Sequence, residues 1–137
     1  MNTHPYLRAY LAGIAVPTPM MLCGLTAYVI ARYAFNVPIP IERAAIFPLA
    51  VVPNLWGVWN VLYLAMQDRA HLPIGAHGAL LPLLLIPSGY ALARLLKIDL
   101  ITQNAALLWF AFPLAMAVYY LIWKYLVNFC NHLLGVA

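Results

Sequence analysis

Ten formal charges are scattered over 137 residues, and their spacing constrains the fold more than any other feature. They are Arg8, Arg32, Glu42, Arg43, Asp68, Arg69, Arg94, Lys97, Asp99 and Lys124. Between Arg8 and Arg32 lie 23 uncharged residues; 24 separate Arg43 from Asp68, 24 separate Arg69 from Arg94, and 24 separate Asp99 from Lys124. A helix of that length, rising roughly 1.5 Å per residue, measures about 36 Å against a hydrocarbon core of roughly 30 Å. Four windows of nearly equal, membrane-matched length predict four membrane-spanning segments. An even number of passes puts both termini on one side.

Composition points the same way. Some 66% of the chain is hydrophobic and 7% charged, where a soluble domain carries about 25% charged residues. A soluble unit of this size buries too little surface to hide that apolar mass, and a disordered chain is polar and highly charged. A transmembrane barrel alternates inward and outward residues, whereas Leu80–Ile86 and Ala105–Val118 are apolar without alternation. In lipid every backbone amide must pair within the structure. The expected fold is therefore all-α: a polytopic integral membrane protein, one transmembrane domain, built as an antiparallel bundle of four transmembrane helices. The spans run approximately Tyr10–Ala31, Ala45–Met66, Ala76–Ala93 and Thr102–Tyr125. The first connection carries Pro38 and Pro40 and reads as extended, the second runs from Asp68 to Gly75, and the third, Arg94 to Asp99, is tight. Arg8, Arg69 and Lys124 lie on the side of the termini, and Arg32, Arg43, Arg94 and Lys97 opposite, a small excess that leans toward external termini. The first span is too long, and too interrupted by Pro17 and Pro19, to read as a cleaved signal peptide.

Prolines supply the second signal. Pro17, Pro19, Pro48, Pro53, Pro82, Pro87 and Pro113 fall inside the windows, and each removes a backbone donor and favours a kink, so the helices are expected to be proline-kinked. Pro48-Leu49-Ala50-Val51-Val52-Pro53-Asn54 can be laid over Pro82-Leu83-Leu84-Leu85-Ile86-Pro87-Ser88, each followed two residues on by an aromatic, Trp56 or Tyr90. Coincidence in a proline-rich apolar chain accounts for so short a match; an inverted repeat of the kind found in transporters is the sharper reading.

No acid, lysine or arginine stands near the centre of a window, which disfavours proton-coupled transport and acid–base catalysis at depth. The richest polar face lies on the second span, where Pro53, Trp56, Asn60, Tyr63 and Gln67 recur every three or four residues. Asn54, Trp56, Asn60, Tyr63, Ser88 and Tyr90 are the candidate ligand-binding residues: Asn54 beside an opened backbone, Asn60 as donor and acceptor, and the aromatics as faces for an amphipathic ligand. The competing structural role is helix bridging by Asn and Gln, with aromatics filling the bundle or anchoring the interface. His4, His71, His77 and His132 show no metal-ligand spacing and are assigned interfacial or loop positions. Tyr119, Tyr120, Trp123 and Tyr125, beside Lys124, read as an aromatic belt. Small residues four apart, Ala27/Ala31, Gly75/Ala79 and Gly89/Ala93, suit close helix packing.

No nucleotide loop, paired-cysteine motif or HExxH sequence occurs, no cofactor is legible, and scattered basic residues give no nucleic-acid stripe. The chain reads as a non-catalytic subunit or binding scaffold in the lipid bilayer, meeting a membrane-protein partner or a second copy through its helix faces. The alternative is a small transporter or channel-like oligomer for a neutral or lipophilic ligand. A third class, an intramembrane lipid-modifying enzyme, would draw on Asp68, Arg69, His71 and His77.

Overall fold

A computed structural model describes residues 4–36, 46–95 and 105–136. The expected extended connection around Pro38 and Pro40, the tight turn around Lys97, and helix starts at Ala45 and Thr102 lie outside the described residues. Within them every element is helical: α1 (Pro5–Ala15), α2 (Pro17–Phe35), a π-helical segment (Ile46–Val51), α3 (Val52–Ala70), α4 (Ile74–Ala79), α5 (Leu81–Leu95), α6 (Ala105–Ile122), a second π segment (Trp123–Val127) and α7 (Asn128–Leu133). These join into four stretches long and apolar enough to cross a membrane: Pro5–Phe35, Leu49–Ala70, Ile74–Leu95 and Phe110–Leu133, of 31, 22, 22 and 24 residues. The fourth continues eight residues past Tyr125, where the charge pattern alone would end it.

Proline positions explain where these stretches subdivide. Pro5 and Pro17 open α1 and α2, Pro53 is the second residue of α3, and Pro82 the second of α5. The amide that proline lacks has no intrahelical partner in a first turn, so the residue costs little there. Pro87 and Pro113 lie inside α5 and α6. Three prolines are followed by a polar residue whose side chain donates to the carbonyl four residues back: Thr18 to Ile14 at 2.7 Å, Asn54 to Ala50 at 2.7 Å, and Ser88 to Leu84. Each bond satisfies a carbonyl in the turn that the neighbouring proline loosens. Asn54 and Ser88 occupy equivalent places in the matched proline segments of the second and third stretches.

Helix ends use the left-handed region, where the chain can turn out of the helix. Asn36 (φ 51°) follows α2, His71 (φ 44°) follows α3, and Gly135 (φ 63°) follows the last turn. At Gly135 the bonds Val136 N–H to Asn131 O, 2.8 Å, and Gly135 N–H to His132 O, 3.1 Å, form a Schellman closure. The Arg8 guanidinium donates to the Leu134 carbonyl just beyond, at 3.5 Å, which ties the first helix to the end of the last.

The core draws on all four stretches: Val16, Val52, Trp56, Ile74, Leu81, Leu85, Trp123 and Val127. Its most extensive contacts are α1 on α3 and α4 on α6. Glycine makes both crossings possible. A Cβ on Gly13 would lie 2.6 Å from the Trp56 carbonyl, one on Gly57 2.6 Å from the Tyr10 ring, and one on Gly78 2.0 Å from Trp123 Cγ. α2 differs, since among its 19 residues only Pro17 is buried, and a Cβ on Gly24 would meet nothing within 4 Å.

Candidate functional site

Two polar nodes lie inside the bundle. In the first, Asn60 is fully buried. Its Nδ2 donates to the Ala9 carbonyl at 2.7 Å and to Asn131 Oδ1 at 2.7 Å, and its Oδ1 accepts from Asn131 Nδ2 at 3.2 Å. Both amide hydrogens and the amide oxygen are thus engaged, and the node joins α1, α3 and α7. Gly13, one turn from Ala9, brings the α1 backbone close enough that its absent Cβ would sit 3.0 Å from Asn60 Cβ.

Asn131 is equally buried, and the π segment before it explains why. Four residues of α-helix advance about 40° past a full turn, so Trp123, Val127 and Asn131 would drift around a regular helix. The wider π turn, closed by bonds to the fifth residue, reduces that drift. All three then face inward with no exposed surface.

The second node pairs Trp59 with His77. Trp59 Nε1 donates to the His77 carbonyl at 2.9 Å, and His77 Nε2 lies 2.9 Å from the Trp59 carbonyl. A carbonyl can only accept, so Nε2 carries the proton. The rings stack with centroids 4.9 Å apart and 30° between planes, while Tyr63 and Trp123 contact the imidazole at 5.4 and 5.9 Å. The helix breaks at Leu80, whose N–H bonds to the His77 carbonyl at 3.3 Å in a tightened turn, and the carbonyl's remaining lone pair accepts the indole. His77, assigned from sequence to the interface, is 7% exposed. Beside it a cavity of about 20 Å³ is lined by Tyr63, Met66, Gln67, Ala70, Leu72 and His77.

The six candidates read from sequence divide among these features. Trp56 is buried in the core, its ring 5.0 Å from Tyr119 and 5.4 Å from Trp123. Asn60 forms the first node, and Tyr63 lines the cavity beside the second. Asn54 is exposed on the first turn of α3, accepting from the Tyr10 hydroxyl while donating to Ala50. Ser88 and Tyr90 are half-buried on α5, and hydrogen bonds among the described residues do not link them to the α3 candidates. Asn131, Trp59 and His77 escaped sequence reasoning as node members. The available signal was Trp59 beside Asn60, two adjacent polar-edged residues that one helix cannot bury unaided.

The belt reading meets a division too. Trp123 is fully buried, whereas Tyr120 and Tyr125 are exposed and Lys124 Nζ lies 5.7 and 5.4 Å from their ring centres. Among the described residues no group of three His, Cys, Asp or Glu is placed to hold a metal ion. Compared with known protein families, curated proteins and solved structures, the chain gives no match.

Proposed function

We propose that this chain is a four-span, multi-pass membrane protein with both termini on one side, acting as a non-catalytic subunit or binding scaffold within the bilayer. The observation that carries the reading is the contrast between the glycine of α2 and those of α1, α3 and α4. Gly13, Gly57, Gly75 and Gly78 each stand at a crossing too close for a Cβ, whereas Gly24 faces open space on a helix with one buried residue. Gly24, Ala27 and Ala31 share a face, the small-residue surface against which another membrane helix packs closely. A second copy or a membrane-protein partner would complete it, with lipid covering the remaining apolar surface.

The polar groups support the same reading. Asn60, Asn131 and Trp59 spend their hydrogen bonds on the fold, and the side chains of Asn54 and Ser88 turn back to carbonyls of their own stretches, Ala50 and Leu84. The antiparallel order draws support from the pairings Ala9–Asn60 and Ile14–Gly57, which run in opposite senses along α1 and α3. Gly75–Tyr120 and Gly78–Trp123 advance together, so α4 crosses the fourth stretch in a locally parallel sense. Kinks at Pro87 and Pro113 belong to the proposal.

The test is native mass spectrometry of the protein released from nanodiscs made of its own membrane. A stoichiometric complex is expected, with a second copy or another membrane chain, and Gly24→Leu should dissolve it while leaving the monomer folded, since among the described residues nothing beyond its own turn of helix lies within 4 Å of the new Cβ. Bare monomer from both proteins would refute the reading.

A further inference from the structure

We propose that the cavity beside His77 binds the hydroxyl head of a neutral amphipathic molecule, the hydroxyl donating to His77 Nδ1. The proposal rests on the reading of the chain as a membrane-embedded binding scaffold and names what one of its sites would take.

The argument starts from the ring. His77 Nε2 bonds the Trp59 carbonyl at 2.9 Å and must carry hydrogen. The reciprocal indole bond and the stacked Trp59 ring hold the imidazole in that orientation. In the neutral ring the proton on Nε2 leaves Nδ1 as a bare acceptor. It needs a donor, and a water or an alcohol can supply one.

The cavity selects among donors. Its volume, about 20 Å³, accommodates a water-sized group. Its wall is almost wholly apolar, formed by Tyr63, Met66, Gln67, Ala70 and Leu72 beside His77. No carboxylate lines it to neutralise an ammonium, and no cation lines it to hold an anion. A lone imidazole nitrogen is too few ligands for a structural metal. What fits is a neutral hydroxyl.

Position argues for a tail behind that hydroxyl. The cavity lies between the last turns of α3, next to Asp68 and Arg69, and the first turn of α4, so the proposed bilayer places it at the level of lipid head groups. Leu62 and Met66, 40% and 47% exposed, continue from it along α3 into the apolar span. A hydroxyl at the edge with an alkyl chain running inward matches the one imidazole acceptor at the pocket and the apolar surface below it.

The test uses the full chain in phosphatidylcholine nanodiscs with ¹⁵N-labelled histidine. Dodecan-1-ol should shift the His77 Nδ1 resonance saturably. Its methyl ether, 1-methoxydodecane, has the same chain and no donor; it should bind about 5- to 10-fold more weakly, the worth of one hydrogen bond. Ala70→Leu, which fills the cavity from its α3 wall, should weaken dodecanol by at least about 10-fold, while the protonated Nε2 resonance persists as evidence of the intact node. A Nδ1 resonance unmoved by dodecanol means that water alone fills the pocket and overturns the proposal. Equal binding of alcohol and ether, or no effect of Ala70→Leu, overturns it as well. None of these results depends on the complex that Gly24→Leu tests, so the site can fail while the subunit reading stands.

Discussion

Replacing Asn60 by leucine, which keeps the branching at Cγ and carries no polar atom, probes what the first polar node contributes. The substitution removes two donated bonds and one accepted bond. Interhelical hydrogen bonds in membrane proteins average about 0.6 kcal/mol, so the three sum to about 2 kcal/mol. It also leaves the Asn131 amide fully buried and unpaired, which adds about 1–2 kcal/mol. Asn60→Leu should therefore cost about 3 kcal/mol. Asn131→Leu should cost about 2 kcal/mol, because Asn60 keeps its bond to the Ala9 carbonyl. The double variant loses the same three bonds but strands no amide in the pair, so it should cost about 2 kcal/mol rather than the sum of about 5, a coupling of about 3 kcal/mol. Reversible unfolding in mixed micelles under added dodecyl sulfate, followed by tryptophan fluorescence, measures all four proteins. Additive losses within about 0.5 kcal/mol would refute the reciprocal pair, and a single-variant cost below that value would remove its structural role.

Two further outcomes follow from backbone geometry. Gly13→Ala should destabilise the protein by at least about 2 kcal/mol, because its Cβ would meet the Trp56 carbonyl and Gly57 Cα, main-chain atoms that cannot swing aside. Gly24→Ala should be neutral or slightly stabilising in the same unfolding assay, since the space is open and alanine is the better helix former; equal losses at the two sites would contradict the packing. His71→Gly should raise stability by about 0.5–1 kcal/mol, as glycine enters the left-handed region without the roughly 1–2 kcal/mol side-chain penalty, offset in part by its greater unfolded-state freedom. A loss on that substitution would show that the His71 ring holds something the backbone does not reveal.

The helical class and the number of long apolar stretches were legible because charge is costly in lipid: Arg8, Arg32, Asp68 and Arg94 punctuate the chain wherever a helix could leave it. Asn60 was legible as a bridging residue for the same reason, being the polar residue on a helix face otherwise built from tryptophan and tyrosine. Its partner was not. Asn131 lies 71 residues away, in a tail whose inward face depends on a π segment, and a 3.6-residue period assigns that tail the wrong side. His77 was missed because its main-chain carbonyl, already accepting from the Leu80 amide, takes the Trp59 indole on its second lone pair, an acceptor no count of side-chain types reveals. The proline pattern shared by the second and third stretches did carry over into local structure, in the matching bonds of Asn54 and Ser88. Thr18 makes the same bond in the first stretch, so what the positions share is a local remedy for proline, available to any following polar side chain.

The Asn60–Asn131 pair has a consequence for synthesis. The chain emerges from its N-terminus, so Asn60 can reach Ala9 early, while Asn131 follows 71 residues later. At about 5–20 residues per second that interval is roughly 4–14 s. Throughout it the Asn60 amide has one interhelical partner instead of two, and the first two helices hold a polar group in an apolar setting without its intended neighbour. The turns around Asn131 therefore complete a contact begun much earlier in synthesis, and the nascent hairpin is the stage at which a chaperone, a lipid head group or another subunit would find that amide still open.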